Sequence, residues 1–265
     1  MTGEGQAQFL EVGVGDDSRR IAYLARVKPG APGLFWLSGF KSDMASTKAQ
    51  ALADYAATRG LGATRFDYSG HGLSSGRFED GTIGRWLEEA VAVFAQRTLG
   101  PQVVIGSSMG GHIALLLLKT LMANHPDHSR RLKSLVLIAP AWDMTEELIW
   151  QRFSSAQREQ LMSSGVVHRP SAYGEPYAIT RNLIEDGRKY LLARQPFDPG
   201  RPVLILQGLL DPDVPASHTR QLLDFIEGGW VEIEEVPDGE HRLSRPEDLD
   251  RLFGLVGRAV VAARA

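Results

Sequence analysis

The sequence predicts an α/β domain: a mostly parallel, eight-stranded sheet with helices on both faces and a helical cap inserted at about 141–200. Three observations lead there. Short apolar runs bounded by turn residues alternate with segments whose apolar positions fall at helical spacing. The 265 residues suffice for one large domain with a complete core. Between about 141 and 200 the alternation stops, and amphipathic helical segments broken by Pro and Gly replace it.

The elements follow in order. Residues 9–14 and 19–27 read as a hairpin joined at Gly15, Asp16 and Asp17. After a Pro- and Gly-rich connector, Leu34-Phe35-Trp36-Leu37 is continuously apolar, as a strand buried on both faces should be. Residues 46–59 have helical spacing and end at Gly60, a C-cap residue. Strand 63–66, helix 82–99, strand 102–106, helix 110–123 and strand 134–138 continue the pattern of right-handed βαβ units. It resumes with strand 202–207, helix 217–226, strand 231–236 and helix 246–263.

Composition excludes several functions. The chain has 29 basic and 32 acidic residues, a net charge of -3, so it lacks the cationic excess that binding a nucleic-acid backbone exploits. Its apolar runs fall short of the roughly 18 residues of a membrane span. With no cysteine, disulfides, thiolate metal sites and a cysteine nucleophile are excluded. The first ten residues, with Glu4 among Gly and Gln, lack the order of a signal peptide, and a cytoplasmic location is expected.

The chemistry concentrates in Gly106-Ser107-Ser108-Met109-Gly110, which follows a buried strand and opens a helix. A serine on such a turn is held above the sheet, while the flanking glycines remove side chains that would strike the neighbouring backbone. The helix start adds backbone N–H groups and the positive end of its dipole. A neutral serine hydroxyl needs a base. In the order serine, acid, histidine, Asp211 after strand 202–207 and His241 after strand 231–236 complete a set, all at one sheet edge. Asp213 is the second candidate for the acid. Of the seven histidines, His71 and His112 lie near the site but precede the acid in the chain. The oxyanion donors expected are the N–H groups of Met109, directly after the nucleophile, and Phe40, with Gly39 allowing close approach. No metal ligand cluster is apparent, and the chemistry calls for no cofactor.

These residues resemble a serine hydrolase of the α/β-hydrolase fold over almost the whole chain, and Asp67-Tyr68-Ser69-Gly70-His71-Gly72-Leu73-Ser74 resembles that family's Asp-x-x-Gly-x-Gly-x-Ser segment. Segments 38–49, 66–70 and 106–111 together are similar to the mitochondrial palmitoyl-protein thioesterase and acyl-glucuronide esterase branch of the α/β-hydrolase-domain family. The chain departs from that branch in its acidic, non-transit-like start and in having Ser38 where proline is usual before the oxyanion glycine. The resemblance implies carboxylic-ester or thioester hydrolysis through an acyl-enzyme. The substrate would be a small ester or thioester, or an acylated protein; the oligomeric state is left open.

Other classes compete with this expectation. The same triad cleaves amides, peptides or carbon–carbon bonds, and a hydrolase-like fold can be a binding module without catalysis. In the insertion, Trp142, Trp150 and Phe153 are expected to bind substrate, among apolar neighbours Met144, Leu148, Ile149, Leu161, Met162, Tyr173 and Tyr177. Arg152, Arg158, Arg169 and Arg181 are candidates to receive a substrate carboxylate, or simply solvated helix faces.

Overall fold

The computed structural model describes residues 5–171, 174–193 and 195–264. Strands β1 (Gln8–Val12), β2 (Arg19–Arg26), β3 (Gly33–Leu37), β4 (Gly62–Phe66), β5 (Gln102–Ser107), β6 (Leu132–Ile138), β9 (Val203–Gly208) and β10 (Val231–Val236) form one eight-stranded sheet. Its order is β1-β2-β4-β3-β5-β6-β9-β10; β1/β2 and β2/β4 are antiparallel and every other pair is parallel.

Alternate side chains on the parallel strands serve two cores. Phe35, Leu37 and Val104 point into one, beneath α2 (Ile83–Arg97) and α3 (Met109–Asn124). Leu34, Trp36, Val103 and Ile105 point into the other, beneath α1 (Thr47–Thr58) and α8 (Pro246–Arg264). Because both faces are covered, β3 has no exposed position, which is why it reads as a continuous apolar run. Helix α8 buries Leu252, Leu255, Val256, Ala259, Val260 and Ala263, the i, i+3, i+4, i+7 stripe of a helix lying on a sheet. Helix α3 is buried on almost every side from Met109 to Leu118, because it lies on the sheet, α2 packs along it, and Asp143 at the start of the cap meets His112. Among the described residues, no helix is long and apolar enough to cross a membrane.

The cap differs from the helical insertion expected. It contains a π-helical segment (Thr145–Trp150) and α5 (Ser155–Ser164), then an antiparallel hairpin of β7 (Val166–Ser171) and β8 (Gly174–Thr180), then α6 (Arg181–Gly187). The hairpin hides in the sequence because Pro170, Gly174 and Pro176 interrupt its alternation, and among its described side chains only Val167, Ala178 and Ile179 are buried. A short helix α4 (Pro126–Arg131) precedes β6. The helix expected at 217–226 is only α7 (Ala216–Arg220) with a 3-10 turn after it, because Phe225 and Glu227 leave the helix to hydrogen-bond Phe197.

At the antiparallel end, one buried ion network ties three elements. Glu89 on α2 is fully buried; it accepts Arg19 Nε from β2 at 2.9 Å and the Ser69 N–H from the loop after β4 at 2.9 Å. Removing one member of a buried pair leaves the other uncompensated. Arg19→Met is expected to cost about 3–5 kcal/mol, read as a lower urea midpoint with an unchanged m-value.

Candidate active site

The sheet register brings four loops to one edge. Leu37 lies opposite Gly106, Ser107 and Leu206 lie opposite Ile138, and Val236 lies opposite Gly208, so the chain leaves β3, β5, β9 and β10 at nearly the same height. Chain direction across the sheet reverses at β3, which has β4 on one side and β5 on the other, and open α/β sheets bind ligands at such a point.

Ser108 stands between β5 and α3 with φ 54° and ψ -117°, a conformation costly for any residue with a Cβ. Its neighbours make that turn possible. A Cβ on Gly106 would be driven into the Gly110 carbonyl, and one on Gly110 into the Leu37 carbonyl. The Ser108 N–H is held by Ile138 O at 2.8 Å, and its carbonyl accepts Gly111 N–H at 2.9 Å and Ala141 N–H at 3.1 Å. Its hydroxyl does not cap α3 and is 3.1 Å from His241 Nε2.

His241 Nδ1 is 2.7 Å from Asp211 Oδ2. Asp211 Oδ1 accepts the N–H groups of Asp213 at 2.9 Å and Val214 at 2.8 Å, which fixes the carboxylate plane. Since Asp211 can only accept when ionised, Nδ1 carries the proton and Nε2 is left to accept from Ser108 Oγ. Thus Ser108, His241 and Asp211 come together, and Asp211 rather than Asp213 makes the bond to His241. Asp213 lines the cavity nearby; it forms, with Asp211 and His241, a group whose ligand atoms all lie within 4.8 Å. Asp211 and His241 already bond each other through Oδ2 and Nδ1, so this group overlaps the same hydrogen-bonded chain.

Two glycines that sequence reasoning missed let the acid and histidine loops meet. A Cβ on Gly208 would strike the Gly239 carbonyl, and that carbonyl accepts the Leu210 N–H at 2.9 Å. Their signal was available: Gly208 ends β9 and Gly239 comes three residues after β10, each just ahead of a candidate. Lys48 on α1 also holds the histidine loop, donating to Arg242 O and to Ser244 Oγ. Burial and the charge of Arg242 push its pKa down to about 8.

The loop after β3 runs directly against the serine: a Cβ on Gly39 would lie 3.3 Å from Ser107 O and 3.5 Å from Ser108 Cβ. Ser38, which replaces the usual proline, is fully buried, and its hydroxyl accepts the Trp36 indole N–H at 3.0 Å, so the exchange leaves no orphaned polar atom there. The Phe40 ring packs edge-on against Phe78 (4.9 Å), Tyr177 (5.6 Å) and Trp86 (5.9 Å), tying this loop to the cap hairpin. Met109 opens α3, so its N–H is among those that have no partner within the helix.

The Asp-x-x-Gly-x-Gly-x-Ser segment is the scaffold under that loop. Asp67 accepts Met44 N–H at 2.7 Å and Leu73 N–H at 2.8 Å, and Arg65 donates to Met44 O at 2.7 Å. A Cβ on Gly72, at φ 48°, would collide with the Asp67 carboxylate. Ser74 donates to Asp67 O at 2.6 Å.

Above Ser108 and His241 lies a cavity of about 710 Å³. Met144, Leu148, Ile149, Tyr177, Ile179 and Val214 make an apolar wall, mostly from the cap. Ser42, Asp43, Ser46, Thr47, Lys48 and Ser244 make a polar one, from α1 and the loops beside it. The expectation that Trp142, Trp150 and Phe153 bind substrate needs correction, since none of them lines this cavity. Trp142 is buried, stacked on His218 with centroids 4.1 Å apart, and donates its indole N–H to His218 O at 2.7 Å. Trp150 lies beneath the guanidinium groups of Arg158 and Arg188, at 5.2 and 4.7 Å from its centroid. Phe153 is buried in the core. The largest aromatic surfaces of the cap are spent on its own base, and smaller side chains face the serine. Of the four arginines, only Arg169 lines the cavity, where it also donates to Leu148 O at 3.3 Å; Arg152, Arg158 and Arg181 bond backbone carbonyls. Tyr173 lies outside the described residues.

The comparisons with known proteins agree with this architecture. Residues 35–190 match the family Hydrolase_4, serine aminopeptidase, S33. The chain belongs to this hydrolase family. It is 30% identical over 174 residues to a Bos taurus protein named palmitoyl-protein thioesterase ABHD10, mitochondrial, an alignment covering 64% of this chain and 53% of that one. The chain therefore spans about half the length of the curated relatives it matches. Among solved structures, one from Agrobacterium vitis S4 superposes with a TM-score of 0.93 at 44% identity, over 96% of this chain and 98% of that one. Mouse alpha/beta hydrolase domain-containing protein 10 superposes with a TM-score of 0.84 at 25% identity, over 97% and 99% of the two chains. The fold is that of an α/β hydrolase, resembling this branch.

Two buried histidines join the cap base to the α3 and α7 regions. His112 Nδ1 accepts the Asp143 N–H at 3.0 Å, and His218 Nε2 donates to Trp142 O at 3.0 Å. Burial, with the neighbouring His218, lowers the His112 pKa to about 3; burial lowers that of His218 to about 4. Both values fall below the unfolded one, so the unfolded chain takes up these protons first as pH drops. The stability they protect is complete above about 6.5 and falls as pH goes from there down through about 4 for His218 and about 3 for His112. Each contributes a slope of at most about 1.4 kcal/mol per pH unit. Urea titrations between neutral pH and pH 4 should show this decline, and His218→Phe, which keeps the stacking on Trp142, should flatten part of it.

Proposed function

We propose that the protein is a serine hydrolase that cleaves carboxylic esters or thioesters through an acyl-enzyme. The observation that carries this reading is the hydrogen-bonded chain from Ser108 Oγ through His241 to Asp211, at 3.1 and 2.7 Å, on the floor of a cavity. His241 Nε2 takes the Ser108 proton as Oγ attacks the acyl carbon, and Asp211 stabilises the imidazolium that forms. The N–H groups of Met109 and Phe40 receive the developing oxyanion. His241 then protonates the departing alcohol or thiol, leaving the acyl group on Ser108. Water, deprotonated by His241, attacks that ester; the carboxylic acid departs and Ser108 recovers its proton.

The apolar cap wall of Met144, Leu148, Ile149, Tyr177 and Ile179 suits the acyl chain, and the polar wall beside α1 suits the leaving group. A relative named palmitoyl-protein thioesterase supports an acyl thioester, small or carried on a protein, as substrate. The family description also names a serine aminopeptidase. The cavity lining weighs against an aminopeptidase substrate, whose ammonium group would enter among Lys41, Lys48, Arg169 and Arg242 with, among the described residues, only Asp43 and Asp213 to offset them.

The test is hydrolysis of p-nitrophenyl acetate, butyrate, octanoate and palmitate beside aminoacyl p-nitroanilides. Wild type is expected to cleave the esters and to be labelled by a fluorophosphonate. Ser108→Ala should lower kcat by about 10⁴–10⁶ and abolish labelling, and Asp211→Asn should lower kcat by about 10⁴. Ile179→Trp should shift preference toward short acyl chains if the cap wall holds the acyl group. Equal rates in wild type and Ser108→Ala, or labelling in neither with a folded sample, would point to a binding module instead.

A further inference from the structure

His71 cannot be the base by its place in the chain, yet it bonds the loop whose Gly39 runs against Ser108. It is buried, and its ring sits among Phe78 (5.2 Å), Trp86 (5.4 Å) and Tyr68 (5.9 Å). Its two nitrogens have different partners. Nδ1 is 3.1 Å from Ser69 O, which can only accept, so Nδ1 carries the proton. Nε2 is 3.1 Å from the Lys41 amide nitrogen and accepts its proton. Lys41 follows Phe40 directly and has φ 58°, a left-handed conformation that a lysine adopts only when its surroundings hold it.

We propose that His71 is a positioning residue for the oxyanion loop: by accepting the Lys41 N–H it holds the left-handed turn that aims the Phe40 N–H at the oxyanion. The inference deepens the serine-hydrolase reading and rests on it. Burial lowers the His71 pKa and outweighs the Ser69 carbonyl and Asp43, which both favour the imidazolium, so the acceptor lone pair stays available. Ser69, the partner on the other nitrogen, is itself fixed by the buried Glu89 through its N–H at 2.9 Å. A chain of bonds therefore runs from α2 through Ser69 and His71 to the turn beside Ser108. Asp67 anchors the far end of the same loop at Met44; at its tip the Ser42 N–H closes the turn onto Gly39 O at 3.1 Å, the Lys41 ammonium reaches Pro176 O at 3.5 Å, and His71 takes the Lys41 backbone N–H.

The test compares His71→Gln with His71→Met. Both lose the ring and have similar length, but only Gln retains an acceptor that reaches Lys41, so the loss of packing cancels in the comparison. Each variant is measured for kcat and KM on p-nitrophenyl butyrate, for inhibition by 1,1,1-trifluoro-2-octanone, whose hemiketal oxyanion uses the same donors, and for melting temperature. His71→Met is expected to lose about 10–100-fold in kcat and the same factor in inhibitor affinity, with KM changed less than about threefold. His71→Gln should recover most of that loss at a similar melting temperature. Equal losses in both variants, or none in either, would overturn the proposal. Hydrogen exchange of the Lys41 amide reads the bond without catalysis: protection is expected in wild type, and an unprotected amide there would also overturn it. A wild type inert to esters and fluorophosphonate removes the hydrolase reading and this inference together, whereas an active wild type with indistinguishable Met and Gln variants removes this inference alone.

Discussion

At the tip of β5, the carbonyls of Leu37 and Gly110 occupy the space that Cβ atoms at positions 110 and 106 would need. Only with glycine at both places can β3, β5 and the start of α3 approach closely enough to hold Ser108 at φ 54°. The strained turn places the hydroxyl above the sheet and leaves it out of the helix cap, free for His241. The same closeness lets Gly39 pass beside Ser108 Cβ, so the loop after β3 borders the reacting position. A second pair, Gly208 and Gly239, repeats the arrangement two strands away, where the acid and histidine loops must touch. The site is built from backbone contacts at which side chains have been removed.

Polar groups then hold what the glycines permit. The loop carrying Phe40 has almost no regular structure to fix it, and its bonds go instead to Asp67, Arg65 and His71 behind it. His71 is anchored in turn, through Ser69, by Glu89 on α2 and its ion pair with Arg19. Buried polar networks of this kind are costly unless every member is satisfied, and here Asp67 and Glu89 each accept from more than one donor. Stability at the antiparallel end of the sheet and geometry at the serine thus share one set of bonds.

The cap shows how burial allocates side chains. Trp142 and Phe153 go into the base, where their area contributes most to holding the cap on the sheet domain. The neutral pair His112 and His218 completes that base, donating or accepting where a hydrocarbon could not. What remains to face the cavity is medium-sized and apolar on one side and hydroxyl-rich on the other. An ester or thioester has the same division, with an acyl chain at one end and a polar leaving group at the other.

The strand-helix alternation, the glycines around Ser108 and the order of acid and histidine are local features, with periods and spacings that can be read along the chain. For that reason the sheet, the elbow and the residues that meet at 2.7 and 3.1 Å were legible in the sequence. Other features depend on contacts between distant segments. The cap hairpin pairs with itself across Pro and Gly interruptions, so neither strand shows a period of its own. Trp142 looked like a pocket residue because its partner, His218, lies 76 positions away in the chain. Asp211 was separable from Asp213 only once the loops after β9 and β10 had converged, since both are acids after the same strand. His71 shows the division most plainly. Its position in the chain excludes it as the base, and only the fold, by bringing residue 41 to residue 71, reveals the amide that its lone pair accepts.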